Sequence, residues 1–233
     1  MKKIIPSFLT ILNLVCGCLA IALAFQFQFE AVLILVCLGV FFDFLDGLAA
    51  RALDSVTNFG KHLDSITDVI TSGVVPGIIV YQLFKLSGNK VSDFEVYAFG
   101  YDLIFSLSPI SFIGFLITIA SAIRLSKYNT LTISDEFIGL PTPANAIFFA
   151  SLPVLINSDI LIDSKQIFLN NYFLIGSVIS SVILMNSPFR LFSFNISFKN
   201  FQSNVYQLLL IIISIPILIY FNLGGFAIIV LIY

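Results

Sequence analysis

Charge is scarce in this chain of 233 residues: 11 Lys and Arg and 13 Asp and Glu make up 10% of it, and histidine occurs once, at His62. An average soluble domain is about 25% charged, so these few charges cannot solvate a water-soluble globule. The same shortage excludes disorder, because disordered chains are rich in charge and poor in apolar residues. A single histidine excludes a His-based triad and a His-rich metal site. Cysteine is nearly as rare. Cys16, Cys18 and Cys37 all lie inside apolar runs, and an odd, buried set does not build a disulfide framework. Cys16-x-Cys18 also lacks metal-ligand spacing, so all three read as packing residues. No basic stripe interleaved with aromatics is present and the net charge is −2, so no nucleic-acid partner is expected.

What the chain has in abundance is hydrocarbon. Hydrophobic residues make up 59% of it, with 26 Phe and 8 Tyr, and the mean hydropathy is +1.06. A helix needs about 20 apolar residues to cross a bilayer. Runs of suitable length cover 8–27, 31–50, 69–86, 103–126, 141–158, 167–186 and 205–221. The tail 224–233 is shorter and follows the turn signal Gly224-Gly225, so it reads as a half-inserted helix or a shortened eighth span. The basic start Met1-Lys2-Lys3 precedes a run long enough to span, which reads as the first helix and not as a cleavable leader. The expected fold is all-α: a polytopic integral membrane bundle of seven or eight helices, residues 1–233 forming one domain without internal repeats.

Orientation follows from the bases. With the N-terminus cytoplasmic, Lys2, Lys3, Arg51, Lys61, Arg124, Lys127, Arg190 and Lys199 fall on the cytoplasmic side, and Lys85, Lys90 and Lys165 on the other. That distribution obeys the positive-inside rule and implies a cell-membrane protein with a cytoplasmic N-terminus. Glu30, Asp93, Glu95, Asp102, Asp159 and Asp163 then fall in outer loops, and Asp135 and Glu136 in an inner one, all as solvated rim charges. Asp43, Asp46, Asp54, Asp64 and Asp68 crowd around the cytoplasmic join of the second and third spans.

An ionisable group at membrane depth is costly and by default marks function. Asp43 and Asp46 are three residues apart, and Asp64 and Asp68 four apart, spacings that put each pair on one helix face. The two helices are antiparallel neighbours, so the pairs can face each other. Four converging carboxylates repel unless cations neutralise them, and one or two hard divalent ions with oxygen ligands, Mg²⁺ or Mn²⁺, are the simplest solution. Gly47 lets a ligand approach the backbone, Ala49 and Ala50 keep that face small, and Arg51 can clamp a phosphate. Gly60 lies one turn before Asp64 on the same face. Asp54 reads as a solvated loop charge, and Lys61 and His62 as surface residues.

Written out, the pattern is Asp43-x2-Asp46-Gly47-x2-Ala50-Arg51-x8-Gly60-x3-Asp64-x3-Asp68, eight fixed residues across 26 positions. It resembles, at every position, the signature of the CDP-alcohol phosphotransferase family. That resemblance implies a six-helix catalytic core at about 5–190 with further helices at about 203–233. It implies a transferase that displaces CMP from a CDP-linked lipid with an alcohol. It also implies that Asp43, Asp46 and Asp64 hold two metal ions, and that Asp68 touches the second and serves as catalytic base. Gly47, Ala50, Arg51, Thr57 and Gly60 would meet the CDP part. The chemistry fits, since paired metals stabilise both oxygens of an in-line displacement and a free carboxylate takes the alcohol proton.

Three further segments resemble the phosphatidylserine synthase branch of that family: Pro6 to Gly17, Ser121 to Asn129, and Ile138 to Ala146 with its Gly-Leu-Pro-x-Pro core. The branch usually has Asn after the first Pro, where this chain has Ser7, so Asn13 becomes the candidate cytidine contact. The implied substrates are CDP-diacylglycerol and L-serine. Arg124 is the candidate partner of the serine carboxylate, with Lys127 and Asn129 beside it. Glycerol 3-phosphate, inositol phosphate and an archaeal-type ether lipid remain as alternatives within the class. Outside it stands a divalent-cation channel or transporter, against which all four acids lie at one side of the bilayer. Small residues on several spans permit a homodimer, and pairing is common in the family.

Overall fold

The computed structural model of the chain describes residues 4–89, 92–98, 101–130, 139–158, 160, 165–188 and 205–233. Lys2, Lys3, Lys90, Asp135, Glu136, Asp159, Asp163, Arg190 and Lys199 lie outside them. Helix α1 (Ile4–Phe25) and helix α2 (Phe29–Ala52) form an antiparallel hairpin. Its turn places Phe27 at a φ of 59°. The buried residues of α1 are Pro6, Thr10, Asn13, Cys16, Gly17, Ala20 and Ala24, a stripe of small and polar side chains three and four apart.

The third span starts well before the expected residue 69. Thr57 caps helix α3 (Asn58–Val69) by accepting the Gly60 amide at 3.0 Å. A π-helical turn (Ile70–Val74) joins α3 to helix α4 (Val75–Leu86). Lys61, His62, Asp64, Ser65 and Asp68 lower the hydropathy of the first turns, which hides their helical character. Asp64 and Asp68 therefore sit well inside a continuous helix of 29 residues.

The π turn answers a local problem. Pro76 has no N–H to offer the Ser72 carbonyl four residues back. Helix α5 supplies substitutes: Ser121 Oγ donates to the Ser72 carbonyl at 3.4 Å, and Thr118 Oγ1 to the Gly73 carbonyl at 2.9 Å. Close approach makes this possible. The Gly73-x3-Gly77 face of the third helix meets Gly114, Thr118 and Ser121 in turn, the small-residue packing that membrane helices favour.

One expectation fails after α4. The span expected over 103–126 begins as a strand: β1 (Ser92–Ala98) pairs antiparallel with β2 (Tyr101–Leu107), Phe94 opposite Phe105 and Val96 opposite Leu103. The apolar residues of β2 look like the start of a span, but Asp93, Glu95 and Asp102 and the alternation on β1 favour a hairpin. The helix itself starts at Pro109, in a 3₁₀ turn (Pro109–Gly114) that leads into α5 (Phe115–Thr130). The rest of the described chain is helical: α6 (Thr142–Ile156), α7 (Lys165–Phe168), α8 (Asn171–Asn186), α9 (Val205–Phe221) and α10 (Gly225–Ile232).

Five helical stretches are long and apolar enough to cross a membrane, with α6 and α8 as shorter apolar helices beside them. A 3₁₀ turn (Asn222–Gly224) separates α9 from α10. There Gly224 abuts Leu155 and Gly225 abuts Ile217, so α10 folds back against α6. Its 8 residues reach only about 12 Å alone, and the fifth of the apolar stretches, Leu208–Ile232, includes them together with α9. Between the helices, Leu33, Val36, Ile79, Leu83, Phe84, Phe149, Leu174 and Val178 form a closed apolar core.

The Gly77–Gly114 crossing sets the distance between α4 and α5. A Cβ at Gly114 would lie 2.6 Å from the Gly77 carbonyl oxygen and 3.0 Å from the Tyr81 amide, whereas one at Gly176 meets nothing within 4 Å. Gly114→Ala is therefore expected to destabilise the detergent-solubilised protein by about 1–3 kcal/mol, as overpacking does. Gly176→Ala should be neutral or slightly stabilising. Thermal unfolding of both variants checks the pair, and equal melting would refute the close crossing.

Candidate active site

Three helices meet at the end of the bundle opposite the β hairpin. Helix α2 brings Asp43, Asp46, Gly47, Ala50 and Arg51, helix α3 brings Asp64 and Asp68, and helix α1 packs against both. Asp43, Asp64 and Asp68 converge until one carboxylate oxygen of each lies within 4.8 Å of the others. Asp43 is within hydrogen-bonding reach of both Asp64 and Asp68. Two carboxylates so close need a proton or a cation between them. The charged neighbours of these groups are other aspartates, with Asp46 acting on Asp43, Asp64 and Asp68. Asp64 Oδ1 is buried with no hydrogen-bond partner. An all-oxygen donor set with a buried, unsatisfied acceptor is what a hard divalent cation requires.

Asp46 stands beside this trio. It is buried, and its Oδ2 accepts the Thr10 hydroxyl at 2.5 Å. It also lines a cavity of about 280 Å³ with Pro6, Ser7, Gly47, Arg51, Lys61 and Asp64. Thr10, Ala50, Ser55, Val56, Thr57 and Gly60 complete that wall. Every residue expected at the CDP part except Asn13 thus faces one cavity, with two of the aspartates at its edge. The backbone at Gly47 is open: a Cβ there would meet nothing within 4 Å. Lys61 is exposed, as expected, and lines the cavity as well. His62 and Asp54 are exposed, Asp54 in the α2–α3 turn at a φ of 47°.

Asn13 sits elsewhere. It is 1% exposed and lies behind the carboxylates, where its Oδ1 accepts the Thr71 hydroxyl at 2.9 Å. Its side chain also reaches Asp68. A carboxylate only accepts, so the amide Nδ2 faces Asp68. This contact depends on Gly39, where a Cβ would lie 2.8 Å from Asn13 Oδ1 and 2.9 Å from Thr71 Cγ2. Ser7, at the position where the branch usually has Asn, lines the cavity. Thr10 and Thr71 carry polar contacts that were not expected from the sequence, although Thr10, Asn13 and Gly17 share the visible small-and-polar stripe of α1.

Arg124 lies on α5, 7% exposed. Its guanidinium carbon is 4.7 Å from the Tyr128 ring centre, and its Nε is buried without a partner. Helix α5 runs antiparallel to the third span, with Thr118 against Gly77 and Ser121 against Gly73. Continued by one turn, that register brings Arg124 toward Ile70, in the π turn two residues beyond Asp68. Lys127 is exposed on the last turn of α5. Asn129 is on the same turn, and its side chain lies outside the described part of the structure.

A model of the CDP-alcohol phosphatidyltransferase family matches residues 3–186. A CDP-diacylglycerol–serine O-phosphatidyltransferase of Bacillus subtilis is 32% identical over 60% of this chain and 69% of its own length. One of Methanocaldococcus jannaschii is 31% identical over 68% of this chain and 65% of its own. An archaetidylserine synthase of Methanothermobacter thermautotrophicus is 34% identical over 63% and 56%. The matches thus span between 56 and 69% of these relatives. The chain belongs to the CDP-alcohol phosphatidyltransferase family and is a helical membrane protein.

The repulsion among the aspartates gives a signed prediction. In chelator, Asp43→Asn should melt above the unsubstituted protein, because one of three crowded charges is gone. Adding Mn²⁺ should then stabilise the unsubstituted protein, by about 2.7 kcal/mol at a hundredfold excess over Kd, and leave Asp43→Asn nearly unmoved. Thermal melts with and without Mn²⁺ measure both halves.

Proposed function

We propose that the chain transfers the phosphatidyl group of CDP-diacylglycerol to the hydroxyl of L-serine, releasing CMP and forming phosphatidylserine. The observation that carries this reading is the single cavity that gathers Asp46, Gly47, Ala50, Arg51, Thr57, Gly60 and Asp64 beside the Asp43–Asp64–Asp68 trio. The names of the relatives support serine as acceptor. In this reading Arg51 donates to the pyrophosphate, which the open backbone at Gly47 lets approach closely. Ser7, Thr57 and Lys61 face the nucleotide. Two divalent cations, Mg²⁺ or Mn²⁺, held by Asp43, Asp46, Asp64 and Asp68, would supply the positive charge that the pyrophosphate and the departing CMP require.

Asp68 accepts the proton of the serine hydroxyl as its oxygen attacks the lipid-side phosphorus, and the bond from that phosphorus to the CMP oxygen breaks. Asn13 holds Asp68 and leaves the place of a cytidine contact to Ser7. Arg124 pairs with the serine carboxylate, with Lys127 and Asn129 as outer partners. The core at about 5–190 carries the chemistry and the helices at about 203–233 flank it. The bases favour a cytoplasmic active site in the cell membrane, and small residues on the spans suit a homodimer. Against a conducting path, the third helix continues beyond the aspartates with Val75, Ile79 and Leu83, which are buried in the apolar core.

The purified protein with Mn²⁺ and CDP-diacylglycerol should release CMP with L-serine, and not with glycerol 3-phosphate or inositol phosphate. Faster release from the ether-linked donor would assign the activity named for the Methanothermobacter relative. Asp68→Asn should abolish turnover while CDP binding persists, and retained turnover would remove Asp68 as base. Arg124→Ala should raise the KM for serine about tenfold or more, the loss of one charge-assisted hydrogen bond, with the KM for the CDP-lipid little changed.

A further inference from the structure

The β hairpin lies at the end of the bundle opposite the aspartates and plays no part in the proposed reaction. Its position is fixed at both roots. Asn89 donates through Nδ2 to the Phe84 carbonyl at 2.8 Å and to Asn171 Oδ1 at 2.9 Å, and Asn171 returns a bond to Asn89 Oδ1 at 2.7 Å. The chain is thereby tied to the start of α8 three residues before β1, a reach of at most about 11 Å. At the other root, β2 ends at Leu107 and the next helical turn begins at Pro109.

Both roots emerge beside exposed apolar surface. Leu86 at the end of α4, and Phe112 and Leu116 at the start of the following span, are exposed apolar side chains on membrane-crossing helices. The hairpin continues that surface. Side chains alternate between the faces of a strand, so Phe94 and Val96 share one face of β1, in register with Phe105 and Leu103 on β2. Phe94 is 45% exposed, Val96 47% and Tyr101, at the head of β2, 71%. The opposite face carries Asp93, Glu95 and Asp102, together with Tyr97 and Ile104. Among the described residues the two strands pair chiefly with each other. A lone two-stranded hairpin is marginal in water, and one with an open aromatic and aliphatic face needs something to cover it.

We propose that this hairpin lies flat on the bilayer surface, its Phe94–Val96 face seated among the lipid headgroups and upper acyl chains and its acidic face toward water. The occupant of the apolar face is lipid because both roots leave the bilayer within a few residues of the strands, so the face can reach the interface without any partner. Aromatic residues such as Phe94 and Tyr101 suit that depth. The acidic residues fix which way up it lies.

The test uses the chain's lack of tryptophan, which makes any introduced indole the sole reporter. Phe94→Trp and Tyr101→Trp probe the apolar face and Tyr97→Trp the acidic face, each in the full-length protein reconstituted into phosphatidylcholine vesicles. Bromine-labelled acyl chains should quench Phe94→Trp and Tyr101→Trp at least about twofold more than Tyr97→Trp, with blue-shifted emission. Aqueous acrylamide should rank them in the reverse order. Equal quenching of all three by acrylamide, with none by brominated lipid, would show a hairpin standing in water and overturn the proposal. Protection of Phe94→Trp from both quenchers would assign its face to another protein surface and overturn it equally.

Discussion

Four carboxylates on two facing helices, at the edge of a membrane, cannot all be charged without a counter-charge. That constraint organises the bundle around it. A protein could answer with arginine or lysine, but fixed cations would fill the place a metal ion needs. This chain answers with neutral donors from α1 instead: the Thr10 hydroxyl on Asp46 and the Asn13 amide beside Asp68. Such donors orient a carboxylate and satisfy one lone pair while leaving its charge in place. The trio of Asp43, Asp64 and Asp68 keeps its demand for a cation, and the buried, unpartnered Asp64 Oδ1 is the local sign of it.

Bringing α1 that close has a steric condition. The Asn13–Thr71 bond lies where a Cβ at Gly39 would collide with both partners, and a Cβ at Gly17 would lie 2.7 Å from Thr71 Oγ1. The glycines are thus part of the site without touching its cavity. Thr71 itself belongs to the π turn. One extra residue in a turn rotates everything downstream by about 100°. Upstream of it, the third helix turns Asp64 and Asp68 toward α2. Downstream, it turns Gly73 and Gly77 toward α5. A single helix therefore serves two neighbours with two different faces, and Pro76, whose lost hydrogen bond α5 makes good, sits just past the turn.

The aspartate pattern was legible because so little else in the chain is charged. Spacings of three and four on two helices are local facts, and the cavity that collects Gly47, Arg51, Thr57 and Gly60 follows from them. The small-and-polar stripe of α1 was just as visible, but a stripe does not say which polar group meets which partner. Asn13 illustrates this: its spacing puts it on the buried face, and only the approach of Thr71 turns it toward Asp68. The start of the third helix was hidden because the polar residues it brings to the cavity and the aspartate cluster depress its hydropathy. The hairpin was hidden by the opposite effect. The run Leu103 to Leu107 is apolar enough to pass for a span, and its strand character depends on pairing with β1.

The cavity's surroundings bear on how a two-part substrate enters. Its polar wall is made by Asp46, Arg51, Lys61 and Asp64, while Val56 on the wall and the nearby Ile5, Phe8 and Phe59 are exposed apolar side chains. A water-soluble nucleotide alone would find no use for that rim. A nucleotide joined to a lipid would: its tails stay in the bilayer beside the rim, and only the polar head has to move in. On the proposed reading the hydrocarbon part would then never leave its solvent, and the main cost would be desolvation of the head, which Arg51 and cations held by the carboxylates would offset between them. Arg124 stands on α5, which packs against the third helix. On the proposed reading, α5 would hold the soluble amino acid and α2 with α3 the lipid-borne nucleotide, so the two substrates would be bound by different helices and meet at Asp68.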